Sequence, residues 1–355
     1  MVDEDDLKSI FARTKVYIGV LLAALVVVAL VLMLGSGPVS GDKTPVRVTI
    51  AQGASARGIS HTLSESKLIR SPFVFLLTCM MSGSSQNLKP GVYELNQTMS
   101  APAIIKRLVA GETIESWVTI PEGKTLREIA DILEAKHLVD SATFLALVTS
   151  EGDLFSDYDF TYGENLEGYL FPDTYLIERG TSPERVIEMM LGNFGTKVLS
   201  QKKSEIARFA ASKLGTSGFN TGLHKVLILA SLVEREARIP ADRPKIAAVV
   251  LNRLANGMRL EIDATVTYEL GKSRANKARV YYSDLRKDTP YNTYVHAGLP
   301  PAPICNPGLA SIKAALEPAA IDALYYVAKP DGSHVFTKTL QEHNLAKQAI
   351  QGGRL

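Results

Sequence analysis

Glu234 and Glu236 stand two residues apart near the end of the apolar run Leu223–Ala237 (LHKVLILASLVEREA), where a carboxyl group can act as a general acid. On a helix the i, i+2 spacing turns the two side chains about 200° apart, so they cannot work as a facing pair. Val226, Leu229, Ala230, Val233 and Ala237 mark one helical face. Glu236 follows Leu229 and Val233 by seven and three residues and falls on that stripe, whereas Glu234 falls off it. Desolvation on an apolar face raises a carboxyl pKa and keeps the group protonated. The plainer alternative is a salt bridge from Glu236 to Arg235, Arg238 or Arg243.

Other chemistries find no support. His296, His334 and His343 lack the H-x-x-x-H or H-E-x-x-H spacing of a zinc site. Ser231 lies in no G-x-S-x-G elbow. There is no phosphate loop, no dinucleotide fingerprint, and no lysine with a phosphate cradle for pyridoxal chemistry. No cofactor and no metal are therefore expected. Cys79 and Cys305 fall in different regions and read as two free buried thiols.

The elements that must carry the glutamates are a helical pair. Leu223–Ala237 forms the first helix, Pro240 stops it, Asp242 can cap the second, and Gly257 ends it. This pair is expected to form the core of its domain. The 355 residues suit about two domains and a short extra segment. A net charge of +2 argues against a nucleic-acid binder, and 46% apolar with 21% charged residues excludes a disordered chain.

From Val16 to Leu34 there are 19 residues without a charge, nearly enough for a helix to cross a ~30 Å hydrocarbon core. A cleaved signal peptide would have a shorter apolar region and a small-residue cleavage site. A retained span over 16–35 is expected, with 1–15 as a tail. Phe73–Met81 and Ile246–Leu251 are too short to span and read as buried helix. Lys8, Arg13 and Lys15 crowd the N-terminal flank, while Lys43 and Arg47 lie further from the other end. The positive-inside rule then puts the tail in the cytoplasm and the rest outside, in a compartment without a supply of ATP or NAD.

A Gly-, Ser- and Pro-rich linker (Gly35–Thr44) leads into an internal repeat with an offset of 70 residues. Val48, Thr49, Ile50 and Gly53 match Val118, Thr119, Ile120 and Gly123. Arg57, Ile59, Leu63, Leu68 and Ser71 match Arg127, Ile129, Leu133, Leu138 and Ser141. Each copy reads as strand, glycine turn and helix, followed by a second helix for which Ser71 or Ser141 can be the N-cap. Lys89–Leu95 reads as a turn into a strand that completes the first copy. This pattern resembles the LysM module, a small glycan-binding unit; a repeated structural unit that binds nothing explains it equally well. The expected architecture is α+β, with a LysM-like domain over 45–115. A catalytic domain with a helical core follows over 116–355 and begins with the second repeat, 118–147.

Leu229–Glu236 (LASLVERE) resembles the signature of the MltG (YceG-like) family of endolytic murein transglycosylases. Glu167–Tyr175 (EGYLFPDTY), Asn252–Leu254, Gly257–Met258, Asp263, Thr265–Val266 and Tyr268 accompany it in the family's order. Tyr291–Tyr294, Gly298–Pro301, Asn306–Gly308, His334, Phe336 and Glu342–Asn344 continue the match. The resemblance implies cleavage of the β-1,4 bond between N-acetylmuramic acid and N-acetylglucosamine in new glycan strands, leaving 1,6-anhydro ends. It implies Glu236 as the catalytic residue and Asp263, Asn292 and Tyr294 as cleft residues, and Glu261 is expected with them as substrate-binding. Asn292 has the alternative of closing a turn, and Tyr294 that of packing. Glu261 stands where many members have Gln, and Ala264 where many have Pro. A cleft-facing Glu261 adds a negative charge and opens the alternative of a water-dependent muramidase. A non-catalytic scaffold that binds peptidoglycan and recruits cell-wall synthases at the cytoplasmic membrane is the alternative of another class.

Overall fold

The structure is a computed structural model that describes residues 30, 32–155, 157–271 and 280–353. The expected tail, 1–15, and nearly all of the expected span, 16–35, lie outside the described residues. Among those residues no helix is long and apolar enough to cross a membrane. The fold is mixed α+β and divides into two units, Met1–Trp117 and Val118–Leu355.

In the first unit, alternation in VRVTI turns Val48 and Ile50 inward and makes Val46–Ile50 a strand, β1. Ser55 caps α1 (Ala56–Glu65), its side chain accepting from the Gly58 N–H. Ser71 caps α2 (Pro72–Met81) in the same way. β2 (Gly91–Leu95) returns antiparallel to β1 with Tyr93 opposite Val48, as the Lys89–Leu95 pattern predicts. Ser100 caps α3 (Ala101–Ala110), and Gly111, at φ +73, ends it. Leu63, Leu68, Phe75, Tyr93, Ile104 and Leu108 fill the core. α2 is not a buried helix throughout: Phe73, Met80 and Met81 face solvent. Within the Gly/Ser/Pro-rich linker, Val39 and Ser40 both donate to the Gln97 carbonyl.

β3 (Glu115–Thr119) straddles the division between the units. Beyond it the second copy of the repeat unfolds as the first did. α4 (Leu126–Ala135) starts at a Thr125/Glu128 capping box, and α5 (Ser141–Ser150) follows. The likeness extends to backbone geometry, since Gly53 and Gly123 have φ of +78 and +77, and Lys67 and His137 have +55 and +54. The second copy differs at its cap: Asp140, not Ser141, accepts the Thr143 N–H. Ser71→Ala is therefore expected to cost about 1 kcal/mol and Asp140→Ala a similar amount, while Ser141→Ala costs little, measured by urea unfolding.

The rest of the second unit surrounds one helix. β4 (Thr174–Glu178), α6 (Pro183–Phe194), a π-helical turn (Gly195–Leu199) and α7 (Ser200–Lys213) lead to α8 (Phe219–Glu236). α9 (Arg243–Ala255), α10 (Asp263–Glu269) and α11 (Leu309–Leu316) come next. An antiparallel hairpin, β5 (Tyr325–Ala328) with β6 (His334–Thr337), precedes α12 (Leu340–Gln351). α8 packs against α7, α9 and α11, and from Leu223 through Glu234 every residue but Lys225 is buried. A single apolar stripe is thus the wrong picture of this helix, and the expectation that the stripe buries Glu236 and exposes Glu234 is overturned. Glu234 is the buried one, at 7% exposure. Asp242 sits at the N-cap of α9, but its side chain makes no capping bond. Its carboxylate turns to His334 instead. Cys79 and Cys305 are free and buried.

Candidate active site

Because α8 ends at Glu236, this side chain emerges where the helix runs out of neighbours. It lines a cleft of about 500 Å³ with Arg253, Glu261, Asp263, Tyr294, Tyr326 and His334. The Tyr326 hydroxyl donates to Glu236 Oε2 at 3.1 Å. Burial, reinforced by the Glu236 charge, pushes the Tyr326 phenol well above its ordinary pKa, so it remains a donor. The surroundings of Glu236 are therefore polar and aromatic, contrary to the expected apolar face.

Glu234 points elsewhere. It accepts the Gly308 N–H at 3.1 Å and lies 3.9 Å from Arg243 Nη2. Burial first, and then the charge of Glu234, push the Glu122 carboxyl upward. These bonds tie the end of α8 to the loop that starts α11.

Asp263 opens α10 and accepts from the Tyr294 hydroxyl at 2.6 Å. Burial and the Asp263 charge raise the Tyr294 phenol. Glu261 does enter the cleft, from a left-handed backbone (φ +54), and is paired with Arg253 at 3.0 Å. Arg253 is buried, donates to the Leu324, Arg259 and Leu260 carbonyls, and stacks over the Tyr325 ring. It holds the hairpin and the Arg259–Glu261 turn against α9.

Asn292 is not a cleft residue. It is fully buried; its amide donates to the Leu285 and Lys287 carbonyls, and its oxygen accepts the Tyr294 N–H. The expected sugar contact is thus replaced by a turn closure that sets the position of Tyr294. Tyr326 escaped the sequence reading because it is 90 residues from Glu236 and carries no local motif. His334 was legible as part of the closing segment but not as a cleft residue. Its ring faces Tyr326 edge-on at 5.5 Å and its Nδ1 is 3.1 Å from Asp242 Oδ2.

Glu167 is buried and collects donors from three segments. The Leu126 N–H (3.2 Å), the Asn306 amide (2.9 Å) and the Tyr268 hydroxyl (3.1 Å) all reach its carboxyl. Burial pushes its pKa up to about 8. Tyr268 lies on α10, so this junction positions the helix that presents Asp263. Gly168 must be glycine, since its φ is +92 and a Cβ would meet Pro303 Cγ at 2.6 Å. A larger groove of about 1280 Å³ is lined by residues of α8 and α9 and by Pro318–Asp322. It shares no lining residue with the smaller cleft. Among the described residues no cluster suits a metal ion.

The family model described as the YceG-like family matches residues 48–349. An endolytic murein transglycosylase of Bacillus subtilis (strain 168) is 39% identical over 329 residues, which covers 88% of this chain and 86% of that protein. An endolytic murein transglycosylase of Streptococcus pneumoniae (strain D39) is 32% identical, covering 85% of this chain and 58% of that longer protein. A 2.6 Å crystal structure of a yceG-like protein from Listeria monocytogenes matches with a TM-score of 0.57 and 35% identity. That match covers 86% of this chain and all of the other.

Proposed function

The chain belongs to the YceG-like family, and from that premise we infer that it is a lytic murein transglycosylase, an enzyme that cuts peptidoglycan strands internally. The observation that carries the mechanism is the Glu236 carboxyl in a polar cleft, held by the Tyr326 hydroxyl at 3.1 Å. Glu236 protonates the oxygen of the bond between N-acetylmuramic acid and N-acetylglucosamine as it breaks. The muramic C6 hydroxyl then attacks the anomeric carbon, and the Glu236 carboxylate takes up its proton. A tethered hydroxyl has a high effective molarity, so no second carboxylate is required to place a water. The pairing of Glu261 with Arg253 supports this over a hydrolytic reading, because that carboxylate is engaged by a cation.

Asp263, Tyr294 and Glu261 hold the sugars: the first two as a linked acceptor and ring surface, the last as a hydrogen-bond partner beside Arg253. Tyr326→Phe removes a hydrogen bond to the Glu236 carboxyl. It is expected to lower kcat about tenfold with little change in KM, read from steady-state kinetics on purified glycan strands.

The chain is held at the cytoplasmic membrane by a retained span over 16–35, with the tail 1–15 inside and the remainder of the chain outside. The uncharged run from Val16 to Leu34 supports this placement. The substrate is new glycan close to the synthases that make it. Within the first unit, residues 45–115 act as a LysM-like glycan-binding module, a reading supported by their strand–helix–helix–strand order and antiparallel β1–β2 pair. The catalytic domain is 116–355, with the second repeat (118–147) at its start.

Mass spectrometry of products from a defined glycan, using the full chain in detergent, tests the reaction. Anhydromuramyl ends are expected. Reducing muramyl ends would instead establish a water-dependent muramidase, and retained peptidoglycan binding without turnover would establish a scaffold.

A further inference from the structure

α2 is apolar nearly all round (PFVFLLTCMM), yet only part of it is buried. Val74, Phe75 and Cys79 enter the core, while Phe73, Met80 and Met81 are each 70% exposed. With half-buried Leu77 between them, these side chains occupy an arc of about 100° on the outer face. A helix with no polar face and an unpartnered apolar arc calls for a second apolar phase.

The chain leading into the unit shows which phase that is. Leu30, Met33 and Leu34, at the end of the uncharged run, are also exposed. Directly after them the backbone is pinned to α2 and α3. The Arg70 guanidinium donates to the Leu34 carbonyl at 3.2 Å. Gly35 lies so close to α2 that a Cβ there would meet Val74 Cγ2 at 2.8 Å. The Ser36 carbonyl accepts the Ala101 N–H at 2.8 Å, and the Ser40 hydroxyl reaches Gln97 Oε1 at 2.7 Å. No slack separates the end of the run from the first turn of α2.

The chain segment that carries this face has charges of one sign. Between Glu65 and Glu94 there is no acidic residue, but there are Lys67, Arg70 and Lys89. Lys106 lines the apolar groove between α2 and α3 together with Thr78, Pro102, Ile105 and Val109. Apolar side chains bordered by basic ones are the makeup of a surface that lies among anionic headgroups.

We propose that the outer face of α2, formed by Phe73, Leu77, Met80 and Met81, is a membrane-docking surface that beds the first unit into the headgroup layer of an anionic bilayer. This rests on the retained span over 16–35, which would deliver that face to the membrane surface with its basic rim among the lipid phosphates. Long aliphatic stems let Arg70 and Lys106 keep their charges in the polar layer while the neighbouring side chains go deeper.

The test uses the full chain in vesicles of phosphatidylcholine and phosphatidylglycerol. An environment-sensitive fluorophore is placed on Met80→Cys or, as a control, on His61→Cys in the exposed part of α1; the native thiols are buried and the unsubstituted chain sets the background. Lipids with a quencher high on the acyl chain are expected to quench the label at 80 at least about twofold more than the label at 61. Alkaline carbonate extraction is run on the same vesicles. If the chain resists extraction but the two labels are quenched alike, the docking proposal fails and the span stands. If carbonate releases the chain, the span itself is refuted and docking with it. A label at 80 shielded from water without lipid quenching, and showing energy transfer between copies, would assign the face to a second copy of this chain and overturn the proposal.

Discussion

Glu236→Gln is expected to abolish formation of anhydromuramyl ends, lowering turnover at least about a thousandfold while the protein stays folded. The amide matches the carboxyl in size and can still accept from the Tyr326 hydroxyl, but it neither donates the departing proton nor takes up the C6 proton. Both halves of the reaction are lost together. The matching substitution two residues earlier separates chemistry from architecture. Glu234→Gln weakens the acceptor of the Gly308 N–H and removes the charge facing Arg243, so it is expected to cost about 1–3 kcal/mol of stability. It should leave turnover per folded molecule nearly intact. Loss of turnover in folded Glu234→Gln, with Glu236→Gln active, would reverse the assignment.

Alkaline conditions are expected to loosen the second unit through Glu167. Its folded carboxyl keeps its proton up to about pH 8, against 4.5 for the ordinary group. Between these values the folded chain binds more protons than the unfolded one, so stability falls as pH rises. The contribution is complete below about 4.5 and lost through about 8, on the order of 3 kcal/mol between pH 5 and pH 8 by linkage. Glu167→Gln resembles the protonated form in carrying no charge, and its amide oxygen can still accept from the Leu126 N–H. It should flatten the profile. Glu167→Ala strands three buried donors and should cost about 3 kcal/mol or more at every pH. Urea unfolding of the three proteins from pH 5 to 9 measures this; parallel profiles for the unsubstituted chain and Glu167→Gln would refute it.

Local features were legible in the chain because their causes are local. The offset of 70 between Val48–Ser71 and Val118–Ser141 fixed two copies of the strand–helix–helix pattern, and the structure repeats even their left-handed residues. Ser71 was readable as a cap; Ser141 was not distinguishable from it, because a preceding Asp140 competes for the same N–H. The glutamate pair and the surrounding motifs were legible as a group, but not the direction in which each side chain points.

Amino-acid order by itself determined the mixed α+β elements, their repeat, the apolar run before Gly35 and the family to which the motifs belong. Periodicity, caps and turns act over a few residues, and a motif is a string. Tertiary structure alone decided that Glu234 is a staple and Glu236 a cleft residue, because neighbouring segments bury Glu234 while Glu236, at the helix end, stays partly exposed in the cleft. It also turned Asn292 inward and brought Tyr326 and His334 to the cleft from a hairpin far along the chain. Burial and orientation of a polar side chain depend on what distant segments place around it, and no short-range pattern carries that information.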